Sequence, residues 1–409
     1  MNKLTSNNKI LVSDIVVVIL ILLNDSFFYL ISDTITTPLA AVFSIILFLY
    51  SIINHYKRPK TISLLIYSLL AIQVISVAYS TFKYGQDYLS GLFNTYRFFI
   101  YLSFFYLYNH YSSREKLVHL LELVSKLSVI VCLVILLQYV LFPSVIFFHK
   151  FAVRNGQIRL YMVTGIRCLP VVVYNLFLFL EKKSKKGIFR FIIILLGTYL
   201  GNGTRGSLMM YIVVSALTIF IFYYTFSNRN NKLVWLISLP ILIVLVGGLF
   251  YYVNYQGIQS IQTEVQSNSG SAATRMNELI YYYDLLKKSP LLGIGTLSGN
   301  YADVIYGTLQ HWYYIEDTGD LIIVFKYGLL GLVWLLSFLM YVMTRVKKSK
   351  HEEDRMMFFF SVYYICWIII GISYSATLTS INSIFYTCIS FVILEYNSIE
   401  KNKLLWRKK

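Results

Sequence analysis

An all-α, polytopic membrane fold is what this sequence predicts, and three observations predict it. Hydrophobic residues make up 57% of the 409 positions and charged residues only 13%, where a soluble domain carries about 25% charged residues. The apolar residues are gathered into runs of about 20, the length that crosses about 30 Å of hydrocarbon as a helix. Lys and Arg concentrate on alternate connections between the runs, the pattern of a chain oriented by its cytoplasmic cations. A soluble globular protein is excluded. The net charge of +17 then follows from topology, and no nucleic-acid partner is implied.

The spacing predicts about 12 transmembrane helices, near 10–31, 36–54, 61–82, 95–110, 117–141, 160–180, 188–202, 206–226, 233–254, 319–344, 356–373 and 376–395. The first run is long and lacks a small-residue cleavage pattern, so it reads as an uncleaved span. Residues 1–409 form a single polytopic domain on this reading, and 255–318 is a large extracytoplasmic loop within it. The basic connections Glu181–Arg190 and Arg345–Lys350 and the tail Arg407–Lys409 belong on the cytoplasmic side. With an even number of spans all three share that side, and both termini are cytoplasmic. Cys132, Cys168, Cys366 and Cys388 lie in or beside apolar runs without Cys-x-x-Cys spacing, which suits small packing residues.

The cations left on the outer side are Lys83, Arg97, Lys150, Arg154, Arg159, Arg167, Arg205, Arg275, Lys287 and Lys288. They oppose the bias that sets the topology. Arg159, Arg167 and Arg205 fall at the outer ends of spans, where an ionisable group is costly unless it meets a cavity or a partner. An outer anion site is one reading; snorkelling to lipid phosphate is the other for any single arginine. Arg205 sits in Asn202–Ser207, between a seventh segment of only about 15 residues and the next helix. Short or interrupted spans bring helix N-termini to membrane depth, where an arginine fork can hold a phosphate.

Within the outer loop, Met276, Leu279, Ile280, Tyr283 and Leu286 recur at helical spacing from Ala272 to Ser289 and Pro290 stops the run. The expectation is an amphipathic helix on the membrane surface, with Arg275, Glu278 and Tyr282 projecting from its other face. Glu278 reads either as a site carboxylate or as one half of a surface ion pair. His311, in Leu309–Tyr314, stands beside Trp312 and Tyr313, aromatic faces that can hold a sugar ring. A neutral imidazole there can accept a hydroxyl proton, although His beside aromatics also serves in an interfacial belt. The outer carboxylates Glu264, Glu278, Asp284, Asp303, Glu316, Asp317 and Asp320 form no Asp-x-Asp pair. No metal and no cofactor are expected.

Three ordered segments resemble the bacterial O-antigen polymerases and O-antigen ligases. They are Arg159–Gly165 followed by Pro170, with Val171 where Asn is usual; Thr204-Arg-Gly-Ser207; and Arg275 with Pro290-Leu-Leu-Gly-Ile-Gly295, then His311, then Tyr327-Gly-Leu-Leu-Gly331. The resemblance implies a metal-independent glycosyltransferase that joins polyprenyl-diphosphate-linked oligosaccharide repeat units into capsular polysaccharide or O-antigen. It acts at the outer face of the bacterial plasma membrane. The implied partners are the lipid-linked donor and acceptor, the lipid bilayer, a flippase and a chain-length regulator. Arg159, Arg167, Arg205 and Arg275 would hold the diphosphate, Trp312 and Tyr313 the glycan, and His311 the acceptor proton, with Glu278 positioning Arg275 and Asp320 as a substitute base. Preplaced cations would stabilise the charge that grows on the departing diphosphate. The rivals are ligase-type transfer to a different acceptor, a transporter of lipid-linked oligosaccharide, and a non-catalytic scaffold.

Overall fold

The computed structural model describes residues 12–25, 31–111, 113–144, 146–147, 151–154, 157–160, 169–202, 205–227, 248, 270–298, 314–351, 355–373 and 375–407. In chain order these form α1 (Val12–Asn24), α2 (Asp33–Ile53), α3 (Lys60–Tyr84), α4 (Tyr88–Phe93), a 3-10 helix (Tyr96–Leu102), α5 (Ser103–His110) and α6 (Arg114–Leu141). A short hairpin follows, β1 (Phe151–Arg154) and β2 (Gln157–Leu160). Then come α7 (Leu169–Lys182), α8 (Lys185–Asn202), α9 (Arg205–Phe226), α10 (Gly270–Lys288), a second 3-10 segment (Ile315–Leu321), α11 (Ile322–His351), α12 (Arg355–Gly371) and α13 (Ile381–Arg407).

The helical membrane class holds. Among the described residues, 5 helices are long and apolar enough to cross a bilayer, and Val12–Asn24, Arg355–Gly371 and Ser383–Tyr396 are shorter apolar helices. The expected span at 233–254 lies outside the described residues apart from position 248. The expected span at 160–180 is corrected: Gln157–Leu160 pairs antiparallel with Phe151–Arg154, Arg159 opposite Ala152, and the helix begins only at Leu169. The seventh segment is not unusually short, because α8 starts at Lys185 and runs 18 residues.

Helix α2 is inside out relative to a soluble one. On α2, Ile35, Leu39, Val42, Ile46, Leu49 and Ile53 recur on one exposed stripe, while Ala40, Ala41, Ser44, Leu47 and Ser51 are buried. Lipid solvates the large apolar stripe, so the inward face is free to carry small residues that let helices approach. Two of the buried hydroxyls donate to carbonyls one turn back, Ser44 to Ala40 at 2.7 Å and Ser51 to Leu47 at 2.8 Å, which meets their own hydrogen-bonding needs within the helix. Ends are capped from the sequence. Ser32 accepts from Thr34 N–H, Asp87 from Ser90 N–H and Ser113 from Lys116 N–H, while Gly85, at φ 70°, closes α3 in the left-handed conformation.

Candidate functional site on the loop face

The loop that carries the motifs is anchored by its last described stretch, residues 289–298, on the end of α3. Tyr79 and Ser289 hydroxyls are 2.5 Å apart, Ser76 and Thr296 hydroxyls 3.0 Å, and Tyr84 O–H donates to Ile294 C=O at 3.0 Å. Gln86 holds the same strand from both ends of its amide, donating to Thr296 C=O at 2.9 Å and accepting from Ser298 N–H at 2.8 Å. Asn94 donates to Leu297 C=O at 2.7 Å.

On its other side this stretch repairs a broken helix. Gly328 has φ 58°, ψ −136°, so α11 is interrupted two residues after Lys326. A break inside a span frees peptide groups that hydrocarbon cannot hydrogen-bond. The loop supplies the replacements: Ile294 N–H donates to Phe325 C=O at 2.9 Å, Gly295 N–H to Lys326 C=O at 2.9 Å, and Leu329 N–H to Pro290 C=O at 2.8 Å. Gly293 and Gly328 meet back to back, for a Cβ on Gly293 would lie 2.6 Å from Gly328 N and one on Gly328 2.6 Å from Gly293 N. The Pro-x-x-Gly-x-Gly and Gly-x-x-Gly segments, separate in sequence, are one structural unit.

Against this unit packs α10, with Glu278 and Tyr282, expected to project from it, turned into the protein. Its polar-looking face is the buried one: Tyr282 is 0% exposed and Glu278 1%, while Met276, Ile280 and Tyr283 are more than half exposed. Tyr282 stacks near Phe325 of α11, ring centroids 5.8 Å apart. Arg275 is exposed, one turn before Glu278 and near enough for its charge to act on that carboxyl. The reason for the inward turn is the solvent. An apolar stripe beside lipid gains nothing by turning inward, whereas carboxyl and phenol groups find partners only inside.

Glu278 accepts Tyr314 N–H at 3.2 Å through Oε1, and its Oε2 is buried without a hydrogen-bond partner. Burial pushes its carboxyl up to about 7, helped by the Asp317 charge and opposed by the Tyr314 N–H and Arg275. Near neutral pH it therefore exists in both protonation states. The adjoining 3-10 segment carries Glu316, whose Oε1 is 3.9 Å from both Arg97 Nη2 and Lys326 Nζ.

Asp320, expected as a substitute base, has another task. It is 1% exposed and accepts Leu378 N–H at 2.8 Å, and Tyr101 O–H donates to Leu378 C=O at 2.7 Å. With Leu321 N–H on Ile372 C=O, these bonds fasten the 3-10 segment to the connection before α13. Arg205 is the first residue of α9, a position where the four leading N–H groups lack helical partners, and Arg159 lies in β2; their side chains are outside the described residues. Arg167, His311, Trp312 and Tyr313 also lie outside them. Among the described residues, no group of three or more His, Cys, Asp or Glu comes together as a metal-ligand set.

Sequence reasoning missed the grouping of Arg97, Lys326 and Glu316. Lys326 offered the one signal, a cation inside a predicted span, two residues before a glycine that could break it.

Taken together, a polytopic helical membrane protein with a loop docked into a broken span and charged groups gathered beside it defines the class. Residues 191–336 match the family model described as O-antigen ligase, so this stretch is similar to that family. No curated protein matches the chain.

Proposed function

We propose that the chain is a polysaccharide polymerase, transferring a growing glycan from one polyprenyl diphosphate to the sugar hydroxyl of an incoming lipid-linked repeat unit, at the outer face of the bacterial plasma membrane. The observation that carries the reading is the docking of Pro290–Gly295 onto the Gly328 break, because it brings the helix of Arg275 and Glu278 against the span that follows His311. The family match over the same residues supports it.

In the reaction, the acceptor oxygen bonds to the anomeric carbon of the donor as the bond from that carbon to the diphosphate oxygen breaks. The electron pair leaves with the lipid diphosphate, whose charge Arg159, Arg167, Arg205 and Arg275 neutralise without a metal. The acceptor proton passes to His311. Trp312 and Tyr313 hold the sugar rings. Glu278, poised between its two protonation states, relays or retains that proton. Asp320 has no chemical part in this scheme.

The test is a reconstituted assay of purified protein with its polyprenyl-diphosphate oligosaccharide, products resolved by size for the wild type, Arg205→Ala and His311→Ala. A ladder spaced by one repeat unit, abolished in both variants, is expected. A single transfer to a different acceptor would make the chain a ligase, and intact donor with folded protein would favour a transporter.

A further inference from the structure

The described ion pairs at the other end of the bundle are closed. Arg345 meets Glu395 at 2.5 Å, Arg190 meets Glu122 at 2.8 Å, His119 meets Asp14 at 2.9 Å and Arg355 meets Glu181 at 3.2 Å. Arg97, Glu316 and Lys326 behave differently. One oxygen of Glu316 serves both cations, and it stands 3.9 Å from each, beyond the 2.7–2.9 Å of a charge-assisted hydrogen bond. Glu316 is not held off by packing, since its side chain is 56% exposed, whereas those of Arg97 and Lys326 are 17% and 10% exposed. The cations are thus the buried members of the group and the carboxylate the exposed one. Arg97 Nε is buried with no hydrogen-bond partner, as Arg345 Nε is, so the contrast between the two rests on the carboxylate distances.

The frame around the two cations is rigid. Lys326 sits at the break in α11, its own carbonyl held by Gly295 N–H, and the next residue, Tyr327, donates its hydroxyl to Gln73 of α3 at 2.7 Å. Arg97 is in the 3-10 helix that packs against α3. Both nitrogens lie the same distance from one oxygen, so one group carrying several anionic oxygens can touch both at once. A single carboxylate has two oxygens for this; a phosphate has more, spread around a tetrahedron.

We infer that Arg97 and Lys326 form an anion subsite for a phosphate group of the lipid-linked substrate, and that Glu316 is its built-in competitor, swinging out when the phosphate enters. The inference rests on the reading of the chain as a transferase acting on a diphosphate-linked glycan, and it narrows where that diphosphate is gripped. Two residues that no motif of the family resemblance includes become substrate-binding. Glu316 becomes a residue that weakens binding, and its removal should therefore strengthen it.

The probe is inorganic pyrophosphate, titrated calorimetrically into the purified full-length chain in lipid nanodiscs at fixed ionic strength. Glu316→Gln is expected to bind about tenfold more tightly than the wild type, and Arg97→Gln and Lys326→Met at least tenfold more weakly. A gain of affinity cannot come from misfolding, so Glu316→Gln keeps the test sound even if a cation variant folds poorly; Arg97→Lys serves as the milder substitution. Unchanged affinity in Glu316→Gln overturns the inference, as does wild-type affinity in both cation variants. Displacement by glucuronate as readily as by pyrophosphate would make the ligand a sugar carboxylate and overturn the phosphate assignment. If the expected affinities are found while no glycosidic bond forms in the transfer assay, the subsite stands and the transferase reading falls. If transfer proceeds while affinities do not move, the subsite falls alone.

Discussion

Lys326 and Arg345 belong to the same helix, roughly 28 Å apart at 1.5 Å per residue, and they live in different electrostatic worlds. Arg345 is locked to Glu395, which also accepts the Tyr341 hydroxyl at 2.7 Å. Lys326 shares with Arg97 a carboxylate that touches neither closely, beside a Glu278 with one oxygen unspent. At one end charge ties helices together. At the loop end two buried cations are set about one exposed carboxylate oxygen, an arrangement that suits a site for a charged substrate, because preorganised charge costs no rearrangement when the substrate's own charge develops.

Mutations can sharpen or break that contrast. The largest loss of stability should follow Arg345→Ala, which strands Glu395 in the interior; about 3–5 kcal/mol is expected, read as a lowered unfolding midpoint, with normal turnover in whatever folds. Arg205→Ala should do the reverse. Its unfolding midpoint should stay put while kcat falls about 10²–10³-fold, equivalent to about 3–4 kcal/mol of transition-state stabilisation. A fall in stability with little loss of turnover would put Arg205 with the structural pairs.

Glu278→Gln probes the middle of the scale through pH. Because burial raises the folded-state carboxyl from 4.5 to about 7, the folded chain holds this proton more tightly than the unfolded chain does. The associated stability is complete below about 4.5 and is lost as pH rises through about 7. Gln cannot ionise and should escape the loss. Thermal unfolding of variant and wild type should therefore diverge by about 1–2 kcal/mol between pH 5 and 7.5, with the variant gaining; parallel curves would mean that Glu278 is not held near neutrality. The smallest effect belongs to Lys287→Ala, which breaks the Asp284 pair, 58% exposed on both sides. A change within about 0.5 kcal/mol is expected, and a larger one would show that this part of α10 is anchored by charge.

The spans were legible because bilayer thickness imposes a run length on the sequence, and helix α10 was legible from its period. What its other face meets was not. The period sets Met276, Ile280 and Tyr283 on a membrane-facing stripe, where they are exposed, but it does not tell that Glu278 and Tyr282 opposite them are buried against the protein. The candidate arginines at 205 and 275 were visible as cations on the wrong side of a charge bias. The Arg97–Glu316–Lys326 group was not visible, since Arg97 lies more than 200 residues before the adjoining segments of Glu316 and Lys326, and only the fold brings them together. The burial of Asp320 was hidden for a related reason: a carboxylate that accepts a main-chain N–H looks, in sequence, like any other acid.

The junction of Gly293 with Gly328 is made of main chain alone, three peptide hydrogen bonds and two absent side chains. Such a clasp carries no chemical identity of its own and asks nothing of the sugars being joined. The loop can therefore change its vocabulary of side chains to suit a different polysaccharide while remaining fastened at the same point, so that anchorage and specificity are free to evolve independently.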